Sequence, residues 1–107
     1  MTREEMRAFL GMILDKVRDH WCKGVFALDR KGRQVESTSR EAVRWCLAGA
    51  LRASMPIEYE SEVWGALMAT SLKMFPASEG KLVLINDSLG QAVVVEVVER
   101  TLQDFSD

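Results

Sequence analysis

One histidine, one tyrosine, two cysteines and two prolines are all that a chain of 107 residues offers of those types. Each scarcity excludes something. Cys22 and Cys46 lie too far apart for a CxxC motif and lack the further Cys and His residues that a zinc site requires, so two free thiols and no metal are expected. Seven glycines are present, but none falls into a GxGxxG or GxxxxGK[ST] pattern, so no loop of the phosphate-cradling kind is written into the chain. No apolar run approaches the length of a signal peptide core or a membrane span, and the chain opens on the polar residues Thr2, Arg3, Glu4 and Glu5. A cytoplasmic protein that does not enter a membrane is the expectation. A formal net charge of −2 lacks the basic excess with which nucleic-acid binders neutralise phosphates, so nucleic acid is not the expected partner.

The apolar content of 48% is enough for a single core, since a domain of this size removes about two thirds of its unfolded surface from water. One domain over residues 1–107 is expected, mainly α, with four helices and a short β-hairpin or ordered loop between the first two. The first helix is the clearest. Met6, Phe9, Leu10, Ile13, Val17 and Trp21 recur at spacings of three and four, and Thr2 with Glu5 has capping-box spacing, which predicts a helix over 3–19. Across residues 21–37, Gly24, Gly32 and the turn Asp29-Arg30-Lys31-Gly32 break the pattern. Val25-Phe26-Ala27-Leu28 pairing with Arg33-Gln34-Val35 would give a hairpin that packs Phe26 or Leu28 on the helices.

A second capping box, Thr38 to Glu41, predicts a helix carrying Ala42, Val43, Cys46, Leu47, Ala50 and Leu51 on one stripe and ending before Met55-Pro56. The third helix is expected over 57–75, with Val63, Leu67 and Ser71 in one row, Trp64, Met68, Leu72 and Phe75 in the next, and Pro76 as its stop. In the last quarter a hairpin competes with a helix. Val94, Val97, Val98, Leu102 and Phe105 share one helical face and strict alternation fails from Val93 to Val95, which favours a helix over 89–104 capped through Ser88 and Gln91. Leu82 to Ile85 is then a short extended segment.

Charge is unevenly distributed. Between Cys22 and Ala53 stand Lys23, Arg30, Lys31, Arg33, Arg40, Arg44 and Arg52 against Asp29, Glu36 and Glu41, whereas acids dominate from Ser54 onward. A basic surface for an acidic partner and a solvated turn are both compatible with this pattern. Three tryptophans and six methionines, with Val93 and Val95 outside the inward stripe, supply apolar surface that a homodimer or a protein partner would cover. Two Trp-Cys pairs, Trp21-Cys22 and Trp45-Cys46, echo one another. Cys22 with His20, the single histidine, is the one Cys–His dyad close in sequence, although sequence adjacency does not set attack geometry. Cys46 on an apolar stripe reads as a small buried hydrophobe.

The runs Trp21-Cys22-x-Gly24, Ala27-x-Asp29-x-x-Gly32-x-x-Val35 and Ala42-Val43-Arg44-Trp45-Cys46-Leu47-x-Gly49-Ala50, with Asn86-Asp87, resemble a family of small bacterial and phage proteins that carries only a domain-of-unknown-function label. The resemblance covers residues 5–55 and, more loosely, the last quarter. Where that family shows Trp-Asn-Asp followed by Arg-Thr, this chain has Ile85 before Asn86 and Gln91-Ala92 after Gly90. The resemblance implies a cytosolic helical domain of phage or mobile-element origin and names no reaction.

The functional expectation is a non-enzymatic protein-interaction module without a cofactor, acting as an oligomer, or as an inhibitor or adaptor such as an anti-CRISPR-like anti-defence protein. Arg30, Lys31, Arg33, Arg40 and Arg44 would meet an acidic surface, and Trp45 or Trp64 would anchor it. The alternatives are an enzyme using Cys22 with His20 or a carboxylate cleft, and a weak nucleic-acid binder acting through segment 23–52.

Overall fold

A computed structural model describes residues 1–106. Its elements are α1 (Arg3–Asp19), β1 (Ala27–Leu28), β2 (Arg44–Trp45), α2 (Leu47–Ser54), α3 (Ile57–Met74), α4 (Leu82–Leu89) and α5 (Gln91–Asp104), with a 3₁₀ turn at Pro76–Ser78. Among the described residues the architecture is mainly helical, with five helices where the sequence pattern suggested four.

The first helix forms as its sequence dictates. Thr2 Oγ1 accepts from the Glu5 N–H at 3.0 Å, and Glu5 Oε1 accepts from the Thr2 N–H at 2.9 Å, so two donors at the helix start are satisfied reciprocally. Met6, Leu10, Ile13, Leu14 and Val17 turn inward. Packed on α5 and α2, this stripe forms the centre of the core with Leu47, Leu51, Val63, Leu67, Leu82, Ile85, Val94, Val97 and Val98. At its far end α1 receives help from another helix: the Gln91 amide donates to the Val17 and Arg18 carbonyls at 3.1 and 2.9 Å. These are carbonyls that a helix end leaves without an internal partner.

Helix α2 starts later than its capping box suggested. Residues 38–43 form turns, in which the Ser39 hydroxyl accepts from the Glu41 N–H at 3.1 Å. The reason lies in the backbone bonds of the next residues. Val43 N–H donates to Leu28 O, Trp45 N–H to His20 O and Cys46 N–H to Phe26 O, at 2.9, 2.8 and 3.2 Å. These donors are committed to strand-like pairing, so α2 opens only at Leu47, with Cys46 as its cap and Cys46 Sγ accepting from the Gly49 N–H at 3.3 Å. The expected hairpin is correspondingly reduced: β1 pairs antiparallel with β2, and residues 33–35 contribute a single bridge, Leu28 to Gln34.

Helix α3 follows Pro56, buries Val63, Leu67, Thr70 and Ser71, and ends at Phe75 before Pro76. The segment expected to be extended is helix α4. Its two inward apolar residues, Leu82 and Ile85, are three apart with Asn86 beside them, whereas Val83 and Leu84 are exposed. A run of four apolar residues carries no period by itself, and the helical division becomes visible only once its neighbours are in place. The Ser88–Gln91 capping box does not form; Gly90, at φ 88°, joins α4 to α5 without a side-chain cap. Along α5, Val94, Val97, Val98 and Thr101 face inward, and Thr101 Oγ1 donates to Thr70 Oγ1 at 2.7 Å, a buried polar link to α3. Val93 and Val95 are half-buried against the core.

Candidate functional site

Two concavities flank the strand pair. The larger, of about 640 Å³, lies between the 24–27 and 34–37 segments on one side and α2, α3 and α4 on the other. Its size falls in the range of small-ligand clefts. Phe26 is 46% exposed at its mouth, and the Arg52 guanidinium lies over the Phe26 ring, 4.3 Å from its centre. Trp64, Val35, Leu82 and Val83 extend the apolar wall, and Glu36 and Asp87 set two acids against the single arginine.

Phe26 is held at the mouth by its own backbone. Phe26 O accepts from the Cys46 N–H, and Gly49 passes so close that a Cβ there would lie 1.9 Å from that oxygen. Only glycine permits this approach of α2 to the strand.

The floor is Asn86, 2% exposed. Its Oδ1 accepts from Trp21 Nε1–H at 2.9 Å and from the Leu47 N–H at 3.0 Å. Its Nδ2 donates to Asp87 Oδ1 at 2.9 Å and to Cys22 O at 3.4 Å. All four of its hydrogen-bonding positions are therefore engaged, which makes Asn86 a structural junction. Asp87 Oδ1 also accepts from the Gly24 N–H at 3.0 Å, tying the loop after Trp21 to α4.

The smaller concavity, about 320 Å³, is bordered by Asp29, Arg30, Lys31, Arg33, Arg40, Glu41 and Val43. Asp29 organises it. Its Oδ1 accepts from the Lys31 and Arg33 N–H groups at 2.9 and 2.8 Å, and its Oδ2 from Arg33 Nε–H at 3.0 Å. The Arg33 N–H foremost, with its side chain and the Lys31 N–H, holds the Asp29 carboxyl below its ordinary range despite burial. Gly32 at φ 78° completes the turn. The outcome is a fixed tip from which Arg30, Lys31 and Arg33 project beside Arg40.

Of the residues the sequence nominated, Arg30, Lys31, Arg33 and Arg40 thus border one concavity, with Arg33 already paired to Asp29. Arg44 is exposed on β2 and is not among the residues bordering it. Trp45 is half-buried and occupied within the fold: Nε1–H donates to Ser37 O at 3.0 Å, the Lys16 ammonium stands 5.5 Å from its ring, and His20 meets it edge-on. Trp64 is half-buried in the wall of the larger cleft. Sequence reasoning passed over Phe26 as a cleft residue, along with Arg52 and Asn86. Asn86 carried a signal, the Asn-Asp pair, which suits a turn equally well; the Phe26–Arg52 contact carried none.

Neither thiol resembles an activated nucleophile. Burial, with Cys46 nearby, pushes the Cys22 thiol up to about 11. Its Sγ–H points to Val25 O at 3.7 Å, and His20 is exposed against Trp45. Burial raises Cys46 as well. Among the described residues no group of three or more His, Cys, Asp or Glu side chains is placed to hold a metal ion, and no helix is long and apolar enough to cross a membrane. No family model, curated protein or solved structure matches this chain.

Proposed function

We propose that this chain is a non-enzymatic protein-interaction module that docks on an acidic partner surface through the Asp29-clamped tip. The observation that carries the reading is the clamp: three hydrogen bonds to one buried carboxylate fix the turn. Arg30 and Lys31 are therefore presented without the ordering cost a mobile loop would incur on binding. Arg40 extends the basic face. The neighbouring cleft supplies what a charged tip lacks, an apolar recess between Phe26 and Trp64 for a partner side chain, with Arg52 at its rim. Aromatic and arginine residues in such positions account for much of the binding energy at interfaces. The resemblance to small phage proteins suggests the kind of partner, a host macromolecular complex that the module would occlude, as an anti-CRISPR-like inhibitor does.

The test is affinity capture from the native host followed by titration of the recovered partner against wild type and the triple variant Arg30→Glu, Lys31→Glu, Arg40→Glu. Arg33 is left intact because it holds the clamp. Affinity falls by about tenfold or more in the variant, and wild-type binding weakens with salt. Equal affinity of the two proteins would remove the basic-tip reading, and a captured species lost on nuclease treatment would transfer the surface to nucleic acid.

A further inference from the structure

The repeated Trp-Cys motif has a spatial counterpart. Trp21 and Trp45 are partners in a parallel bridge, built by Trp45 N–H donating to His20 O at 2.8 Å and Cys22 N–H donating to Trp45 O at 3.1 Å. Cys22 and Cys46 each follow their tryptophan by one residue, so both stand immediately beyond this single bridge. At a bridge adjacent chains run about 4.8 Å apart, so the two cysteines each lie one residue from a point of close approach. A disulfide joins Cα atoms roughly 4.4–6.8 Å apart. Both cysteines are buried free thiols, and both flank Asn86, which donates to Cys22 O and accepts from the N–H of Leu47, the residue after Cys46.

We propose that Cys22 and Cys46 are a reversible oxidation site, closing to an intramolecular disulfide by exchange with a low-molecular-weight disulfide such as oxidised glutathione. The two thiols differ in access: Cys46 lines the larger cleft and Cys22 does not. The Cys46 thiolate attacks one sulfur of the oxidant, forming a mixed disulfide and releasing one glutathione thiolate. The Cys22 thiolate then attacks the Cys46 sulfur and releases the second glutathione thiolate. The protons given up by the two cysteines end on the two glutathiones, so two protein thiols are oxidised while one small disulfide is reduced to two thiols. Mutual proximity agrees with the electrostatics, since Cys46 is among the groups that raise the Cys22 thiol. The disulfide would staple the residues after α1 to the cap of α2, along one wall of the cleft.

Incubating the folded full chain with oxidised glutathione, trapping in acid and digesting with trypsin tests it by mass spectrometry. Wild type yields peptides 19–23 and 45–52 joined by a reductant-sensitive link, and Cys22→Ser stops at a glutathione adduct on Cys46. Cys46→Ser loses both products. A stable Cys46 adduct in wild type without the cross-link would overturn the pairing. So would thiols that react only after the chain is unfolded in denaturant.

Discussion

The indole N–H of Trp21 donates to Asn86 Oδ1 at 2.9 Å, joining residues 65 positions apart in the chain. The same oxygen accepts the first amide of α2. One side chain therefore fixes three elements relative to one another: the end of the first helical segment, the start of α2, and α4.

Replacing Asn86 by Ala leaves the Leu47 N–H, the Trp21 Nε1–H and the Cys22 carbonyl without that partner in a buried setting. Each orphaned group costs on the order of 1 kcal/mol or more, so a loss of about 3 kcal/mol is expected. Chemical denaturation of Asn86→Ala measures it; a change under about 0.5 kcal/mol, the range of ordinary surface substitutions, would show that the junction is dispensable.

Two glycines make opposite predictions. At Gly49 a Cβ would lie 1.9 Å from Phe26 O, whereas at Gly65, exposed on α3, it would meet nothing within 4 Å. Gly49→Ala must push α2 off the strand and is expected to lose several kcal/mol, beyond the 1–3 kcal/mol typical of roughly one overpacked methylene. Gly65→Ala gains about 0.5–1 kcal/mol from helix propensity. Paired thermal melts decide both, and equal melting points would contradict the packing described.

The three longest helices were legible in the sequence because each carries its own apolar stripe over at least three turns. The start of α2 was not. Thr38 and Glu41 satisfy a local capping rule worth about 1 kcal/mol, but Val43, Trp45 and Cys46 spend their amides on Leu28, His20 and Phe26, partners that no local window contains. For the same reason Leu82–Ile85 reads as extended in the sequence and is helical in the fold, where Leu82 and Ile85 reach the core. The basic tip could be anticipated from composition. The cleft could not, because its walls come from separate segments, and Phe26 and Arg52 have no sequence relation that marks them as neighbours.

The raised Cys22 thiol has a consequence for stability. In the folded chain it keeps its proton up to about pH 11, whereas the unfolded thiol ionises around its ordinary value of 9.0. The native state binds more protons than the unfolded state across that window, so stability is retained below pH 9 and lost as pH climbs from 9 towards 11. The loss attributable to Cys22 is at most about 2–3 kcal/mol. Denaturation midpoints for wild type and Cys22→Ser, compared between pH 8 and 10.5, reveal it as a steeper decline in wild type; parallel curves would contradict it.

Asp29 works in the opposite direction. Its carboxyl is held below the ordinary value of 3.8, so the ordering it gives the tip is present above that pH and is lost as pH falls through its lowered value. Amide exchange at Lys31 and Arg33 is expected to speed up when the clamp protonates, and in Asp29→Asn at neutral pH. Exchange at both amides that is indifferent to the substitution would show the turn to be held by other means.

The junction at Asn86 also bears on how the two shortest helices are held. Helices α2 and α4 have eight residues each, too few to persist alone in water, and the opening amide of one is satisfied by a side chain of the other. Each of the two short helices therefore depends on the other for a lasting foothold, and loss of either would leave its counterpart with an unanswered polar group.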